Sequence, residues 1–236
     1  MKKLIQSFLP IFILSSQVFA IAGFGLNFNQ SMFSIDKSTS PLLIDNPAGG
    51  DPLNVGSFTQ NSFDNGYGLG GYLYIDVIPF IDIDIEGNSI ISRYDFSFAN
   101  PVDTLKKQII TGALSGYITA QKKLFKLSIP LLAKVKLTAG AGINFNISPP
   151  VIDQTMLESI IPTGSDVSNG TVDTKALIEY IGDNKNSSTG FHIQTGLQFK
   201  ILMLDSFLFY RHVIADDVIP GAKGFGSLNL RLGMGF

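Results

Sequence analysis

Residues 227–236 read SLNLRLGMGF. Leu228, Leu230, Leu232, Met234 and Phe236 take every second position, and Asn229, Arg231, Gly233 and Gly235 fill the gaps. In an extended chain successive side chains point to opposite faces, so this stretch is a β-strand with one apolar and one polar face. A helix would scatter the same leucines around its circumference.

The period recurs along the chain. Val135, Leu137, Ala139, Ala141, Ile143 and Phe145 alternate with Lys134, Lys136, Thr138, Gly140, Gly142 and Asn144. Phe191, Ile193, Leu197, Phe199 and Ile201 interleave with His192, Gln194, Gly196, Gln198 and Lys200. Strands are expected near Ala22–Gln30, Gly66–Val77, Phe80 into the 90s, Lys122–Ile129, Ala133–Ile147, Gly190–Ile201, Ser206–His212 and Gly224–Phe236. That makes eight, with ten left open because residues 88–98 could extend the third strand or fold back. Tight turns are expected at Ile78-Pro79, Pro130-Leu131 and Met203-Leu204-Asp205, where proline removes a ladder donor in the first two. The remaining connections are long, so long and short alternate and all the long ones fall on one side. Short helices are expected in them: from the cap-like Asn100-Pro101-Val102-Asp103 through Leu105 and Ile109, around Met156, Leu157, Ile160 and Ile161, and around Leu177, Ile178 and Ile181.

Composition narrows the class. Hydrophobic residues make up 45% of the 236 and charged residues only 15%, against roughly 25% charged in an ordinary soluble domain. A net charge of −2 offers no basic face for nucleic acid. Lys2 and Lys3, the mostly apolar Leu4–Leu14 and Val18-Phe19-Ala20 follow the three-part pattern of an export signal cut after Ala20. Residues 1–20 are therefore read as a signal peptide and 21–236 as one domain. With no cysteine, neither disulfides nor a lipidated N-terminal cysteine can hold the product together or anchor it.

Alternation alone does not say which face is outside. The polar face decides it, because it is rich in glycine and poor in the lysine and glutamate that a water-facing wall carries. A narrow barrel interior needs small residues and self-paired charges. Asp76, Asp82, Asp84 and Glu86 lie on that face of the second and third strands, and Lys126, Lys134, Lys136, Lys200 and Arg231 on that of later strands. Four acids and five bases near the short turns are expected to neutralise one another as a structural network, since unpaired buried charge is too costly to persist. The spacing Asp82-x-Asp84-x-Glu86 is read as part of that pairing and not as a metal site. Tyr67, Tyr72, Tyr74, Tyr94, Tyr117 and Tyr210 lie in or beside strands, where outward members would sit at headgroup level, Tyr72 and Tyr74 being assigned to the interior.

Signal peptide, alternating strands, alternating loops and the aromatic terminus together resemble a small Gram-negative outer-membrane β-barrel protein of the eight-stranded class. The resemblance implies an all-β, closed antiparallel up-and-down transmembrane barrel in the bacterial outer membrane, with short helices in its extracellular loops. It implies outer-membrane lipid as surroundings and the barrel-assembly machinery as a partner that reads Phe236, Met234 and Leu232 during insertion. Some members modify lipids; a deacylase of this kind would resemble His-x-Ser on a strand, and His192-Ile193-Gln194 lacks the serine. No catalytic residue, cofactor or metal ligand is assigned. The expected role is structural or surface-interacting, without an open pore and with an extracellular ligand of unknown identity. Transport of small hydrophobic molecules is the alternative, and a lipid-modifying enzyme the second.

Overall fold

The computed structural model describes residues 22–44, 46–78, 81–101, 104–129, 133–150, 155–156, 159 and 174–235. In chain order its elements are β1 (Ala22–Ile35), β2 (Ser38–Ile44), β3 (Leu53–Gln60), β4 (Phe63–Ile78), β5 (Ile81–Ala99), β6 (Thr104–Ile129), β7 (Ala133–Ser148), α1 (Thr174–Asn184), β8 (Asn186–Ile201), β9 (Leu204–Ile214) and β10 (Gly224–Gly235). Every pairing is antiparallel, and the ladder runs β1-β4-β5-β6-β7-β8-β9-β10 and back to β1. Eight strands thus close a ring with no free edge. The remaining two, β2 and β3, form a hairpin that continues the sheet upward, with Ser57–Gln60 paired to Phe96–Ala99 of β5.

The alternation resolves with the apolar side outward. Leu230 is 38% exposed and its neighbour Arg231 only 2%. Phe24, Leu26 and Phe28 are likewise exposed around a fully buried Asn27. On β8 the outward series runs from Phe191 to Ile201. Ten residue steps at about 3.3 Å, tilted by about 40°, give a band ~25 Å tall, the height of a transmembrane barrel's apolar girdle. This is the architecture of a small outer-membrane β-barrel. Tyr67 and Tyr210 point outward at its edges, whereas Tyr72, Tyr74, Tyr94 and Tyr117 are buried.

Two expectations are revised. The stretch from Asn100 to Gln121, read as a long loop opening in a helix, is the upper two-thirds of β6, paired without interruption to β5 from Ala99↔Thr104 to Ile81↔Lys122. Asn100-Pro101 caps a hairpin; Val102 and Asp103 lie outside the described residues. The first long connection contains the β2–β3 hairpin, which the sequence reading left as loop. The last long connection folds back over the barrel mouth, where Ala215, Val218 and Ile219 are buried. The helix around Leu177, Ile178 and Ile181 is present as α1. Near Met156, Thr155, Met156 and Ser159 are helical; Leu157, Ile160 and Ile161 lie outside the described residues, as do residues 1–20, Phe236, Pro79 and Pro130.

Candidate functional site

The interior is built in layers, set by which inward residues the register brings to one height. The central layer joins Asn27, Glu86, Tyr117, Gln194, Arg211 and Arg231. Arg211 donates from Nη1 and Nη2 to the two carboxylate oxygens of Glu86 at 2.8 and 3.0 Å, and from Nε to Gln194 Oε1 at 3.0 Å. Arg231 donates from Nε to Glu86 Oε2 at 2.9 Å and also pairs with Asp84. Asn27 donates to Glu86 and to Asn88, at 3.1 and 3.0 Å. Each guanidinium also lies on aromatic rings, Arg211 3.9 Å from the Tyr117 centroid and Arg231 4.7 Å from that of Phe209. Two cations against two carboxylates, with every guanidinium nitrogen donating, is the arrangement in which buried charge can persist.

Below this layer, toward the turn end, Lys123 Nζ sits 2.7 Å from Asp76 and 2.9 Å from Asp82, and Lys136 lies 3.6 Å from Asp76. Gln198 donates to both oxygens of Asp205. Lys200 donates to the Tyr74 hydroxyl at 3.4 Å. Tyr72 and Tyr74 fill the opposite wall, which is possible because the facing inward positions are glycine. A Cβ on Gly233 would stand 2.4 Å from the Tyr72 hydroxyl. The space left between Tyr72, Asp84, Gln121, Asp205 and Arg231 is about 20 Å³, room for about one water.

Above the central layer the chemistry changes. Ile90, Ala113, Val213 and Phe225 meet Val218 and Ile219 from the returning last loop, with Phe33 and Ile35 packed alongside. About 10 Å³ remains between Phe33, Phe63, Ile90, Val218 and Ile219. Higher still, beyond the rim, a second apolar cluster joins Phe58 of β3, Phe96 and Phe98 of β5, Met156, and Leu177, Tyr180 and Ile181 of α1. The Phe58 ring lies 5.9 Å from Phe96 and 5.3 Å from Phe98.

Of the residues singled out in the sequence, Asp76, Asp82, Asp84, Glu86, Lys136, Lys200 and Arg231 all face the interior and meet the partners just given. Lys126 is more exposed than these. It lies opposite Lys136 at the exposed foot of β6, past a bulge between Lys123 and Phe125. Lys134 is half-buried opposite Lys200. Leu232 and Met234 are exposed on the outer wall, and Phe236 lies outside the described residues. Sequence reading missed Arg211, Lys123 and Asp205. His192 is buried, 2.8 Å from Thr119 Oγ1 and edge-on to Tyr117. His212, on the opposite face, is exposed, so the two histidines do not share a site.

The wall is also irregular midway along the β4–β5 pairing. Between β4 and β5 the register is the same at Tyr67↔Ile91 and Gly70↔Asn88, yet the two intervening pairs are missing from the ladder. There the Ser89 side chain donates to the Leu69 carbonyl at 2.8 Å, and the Ser89 carbonyl accepts from Asn29 of the interior. A groove of about 760 Å³ on the outer wall begins at Leu69 and Ser89 and crosses Gly87 and Gly116 to Phe145.

No protein-family model and no curated protein matches the sequence. Among solved structures, the chain is similar to the N-terminal β-barrel domain of Pseudomonas aeruginosa OprF, with 9% identity, 91% of this chain and 99% of that one covered, and a TM-score of 0.42. It is similar to the outer membrane protein OprG of the same organism at 9% identity, covering 91% and 95%, with a TM-score of 0.49. The attachment invasion locus protein Ail of Yersinia pestis matches at 14% identity over 91% and 96%, with a TM-score of 0.35. The barrel itself rests on the closed ladder and outward apolar girdle of this chain.

Proposed function

We propose that the protein is an exported outer-membrane barrel that presents a structured cap at the cell surface and conducts no solute through its centre. Its short turns face the periplasm and its cap the exterior, as in membrane barrels generally. The observation that carries the reading is the combination of layers along one axis. Among the described residues the pockets within the ionic plug and the apolar stopper hold about 20 and 10 Å³, while the hairpin, the upper parts of β5 and β6, and α1 build an ordered layer above. The stabilising material spent above the rim has no use in holding a pore open; it fits a surface for contact. Liposomes carrying the full chain should show the same swelling rates in small sugars and amino acids as empty ones, with the protein recovered in the outer membrane fraction and its migration heat-modifiable. Solute-dependent swelling would overturn the closed barrel, and failure to fractionate would overturn the location.

A second reading, passage of small hydrophobic molecules through the wall, is favoured by the two missing ladder pairs at Leu69 and Ser89 beside the outer groove. Since the chain has no cysteine, a Leu69→Cys/Ser89→Cys pair would be the only disulfide and would lock that seam. Uptake of a hydrophobic dye that falls on oxidation and returns on reduction supports this reading; uptake equal to that of cells lacking the protein rejects it.

A further inference from the structure

We infer that the groove lined by Lys37, Thr59, Asp95, Lys106, Lys107 and Gln108, about 530 Å³ in volume, is a binding site for the phosphate of an outer-leaflet lipid headgroup. The inference takes from the preceding section only that the barrel spans the membrane. Its grounds are height, face and charge. Height comes from the β5–β6 register: Ile91 and Ile110 are the last exposed large apolar side chains of these strands among the described residues, and the pairs Asp95↔Gln108 and Ser97↔Lys106 follow within a few residues. Two to four steps along a tilted strand rise about 5–10 Å, which is the thickness of the headgroup layer above the hydrocarbon. Tyr67, 66% exposed on the adjoining strand, stands below at the level where aromatic side chains mark that boundary.

The groove is also on the membrane-facing side. Asp95, Ser97 and Gln108 share the outward face with Ile91 and Arg93, while Tyr94 and Phe96 point inward and are buried. Charge settles the ligand class. Lys37 and Lys106 meet one carboxylate, with Lys107 lining the groove from the position opposite Phe96, and Asp95 already accepts from Gln108 at 3.1 Å. None of Lys37, Lys106 or Lys107 forms an ion pair among the described residues. Lysine is a compact, strongly hydrated cation suited to phosphate as a point charge, and the hydroxyl of Thr59 and the amide of Gln108 supply neutral donors beside it.

The test uses the full chain in phosphatidylcholine nanodiscs containing a small fraction of spin-labelled phosphatidic acid, or of spin-labelled phosphatidylcholine as reference. Electron paramagnetic resonance reads the motionally restricted fraction of each. The wild type should restrict the phosphatidic acid preferentially, and Lys37→Gln/Lys106→Gln/Lys107→Gln should lower that preference at least about tenfold, each surface lysine contributing roughly fivefold. Lys122→Gln/Lys126→Gln, at the opposite end of β6, should leave it intact. Heat-modifiable migration of all three proteins shows that the barrel persists. An unchanged preference in the triple variant overturns the site. Displacement of the labelled lipid by millimolar inorganic phosphate, or by a soluble sulfated polysaccharide at equal charge, overturns the lipid as ligand. Persistence through both supports it.

Discussion

Between Asp82 and Asn88 the molecule is held together at its centre by charge, whereas between Phe58 and Ile181, above the rim, it is held by aromatic and aliphatic rings. The two regions are parts of one chain and share strands β5 and β6. What differs is the solvent outside each wall. In the girdle the outer surface already takes the apolar residues, so every polar side chain of the alternating pattern is forced inward and must find its partner there. Above the girdle the outer face meets water, the polar residues turn out, and the same two-residue period delivers Phe58 and Phe96 to an interior of ordinary kind. A barrel that crosses a membrane is therefore inside-out over one part of its height and right way out over another, and the change takes place within single strands.

Removing the keystone of the ionic region should have the largest effect. Glu86 accepts from both Arg211 and Arg231, so Glu86→Ala leaves two buried guanidiniums short of a partner. Breaking a buried pair from one side costs about 3–5 kcal/mol. The midpoint of urea unfolding in lipid vesicles, read from the heat-modifiable band, should fall accordingly or the protein should fail to insert. An unchanged midpoint would mean that charge is not what holds the centre.

The matching cut in the cap is Phe58→Ala, which deletes a ring packed against Phe96, Phe98 and Met156. Its cost is about 3 kcal/mol, but it should be confined to the cap, since the ring of eight strands closes without β3. Limited proteolysis from outside intact cells should cut between residues 38 and 60 faster, with the heat-modifiable migration of the barrel retained. Loss of the barrel itself would show that the two regions fold as one unit and not as a closed ring with an added layer.

How far these regions were legible depended on whether one face of a strand stood out from the other. In β8 and β10 it did, and their inward residues were assigned at once. In β9 both faces are apolar: Phe207, Phe209 and Val213 point inward and Leu208, Tyr210 and Ile214 outward, so Arg211 between them carried no signal of its side. In β6 Lys123 keeps the inward parity of Thr119 and Gln121, and the bulge that follows it leaves Leu124 and Phe125 both exposed, so an alternation counted back from Lys126 puts Lys123 on the wrong face. The upper part of β6 was misread because Lys106-Lys107 and Ile109-Ile110 come in doublets and Asn100-Pro101 mimics a helix cap. The β2–β3 hairpin was hidden for a related reason, its Pro41 arguing against a strand. No part of the cap carries a period as clean as the girdle's, because water on one side tolerates exceptions that hydrocarbon does not.

The smallest effects provide the sharpest comparison, because two glycines in the same wall should respond with opposite sign. Gly196 faces the interior, where a Cβ would stand 2.3 Å from Phe209 Cβ and 2.3 Å from the Leu208 carbonyl oxygen. Neither is the mobile tip of a side chain, so Gly196→Ala has to move a strand or a buried ring and should destabilise by about 1–3 kcal/mol. Gly87 faces outward, and a Cβ there would meet nothing within 4 Å. Its backbone does not require glycine, since its φ is not positive. Gly87→Ala therefore restricts the unfolded chain at no native cost and should stabilise by about 0.4–1 kcal/mol. Unfolding midpoints measured side by side in one lipid decide the matter. If both substitutions destabilise, the outer groove is filled by something tightly packed; if neither does, the interior is looser than its layers of charge and aromatic rings require.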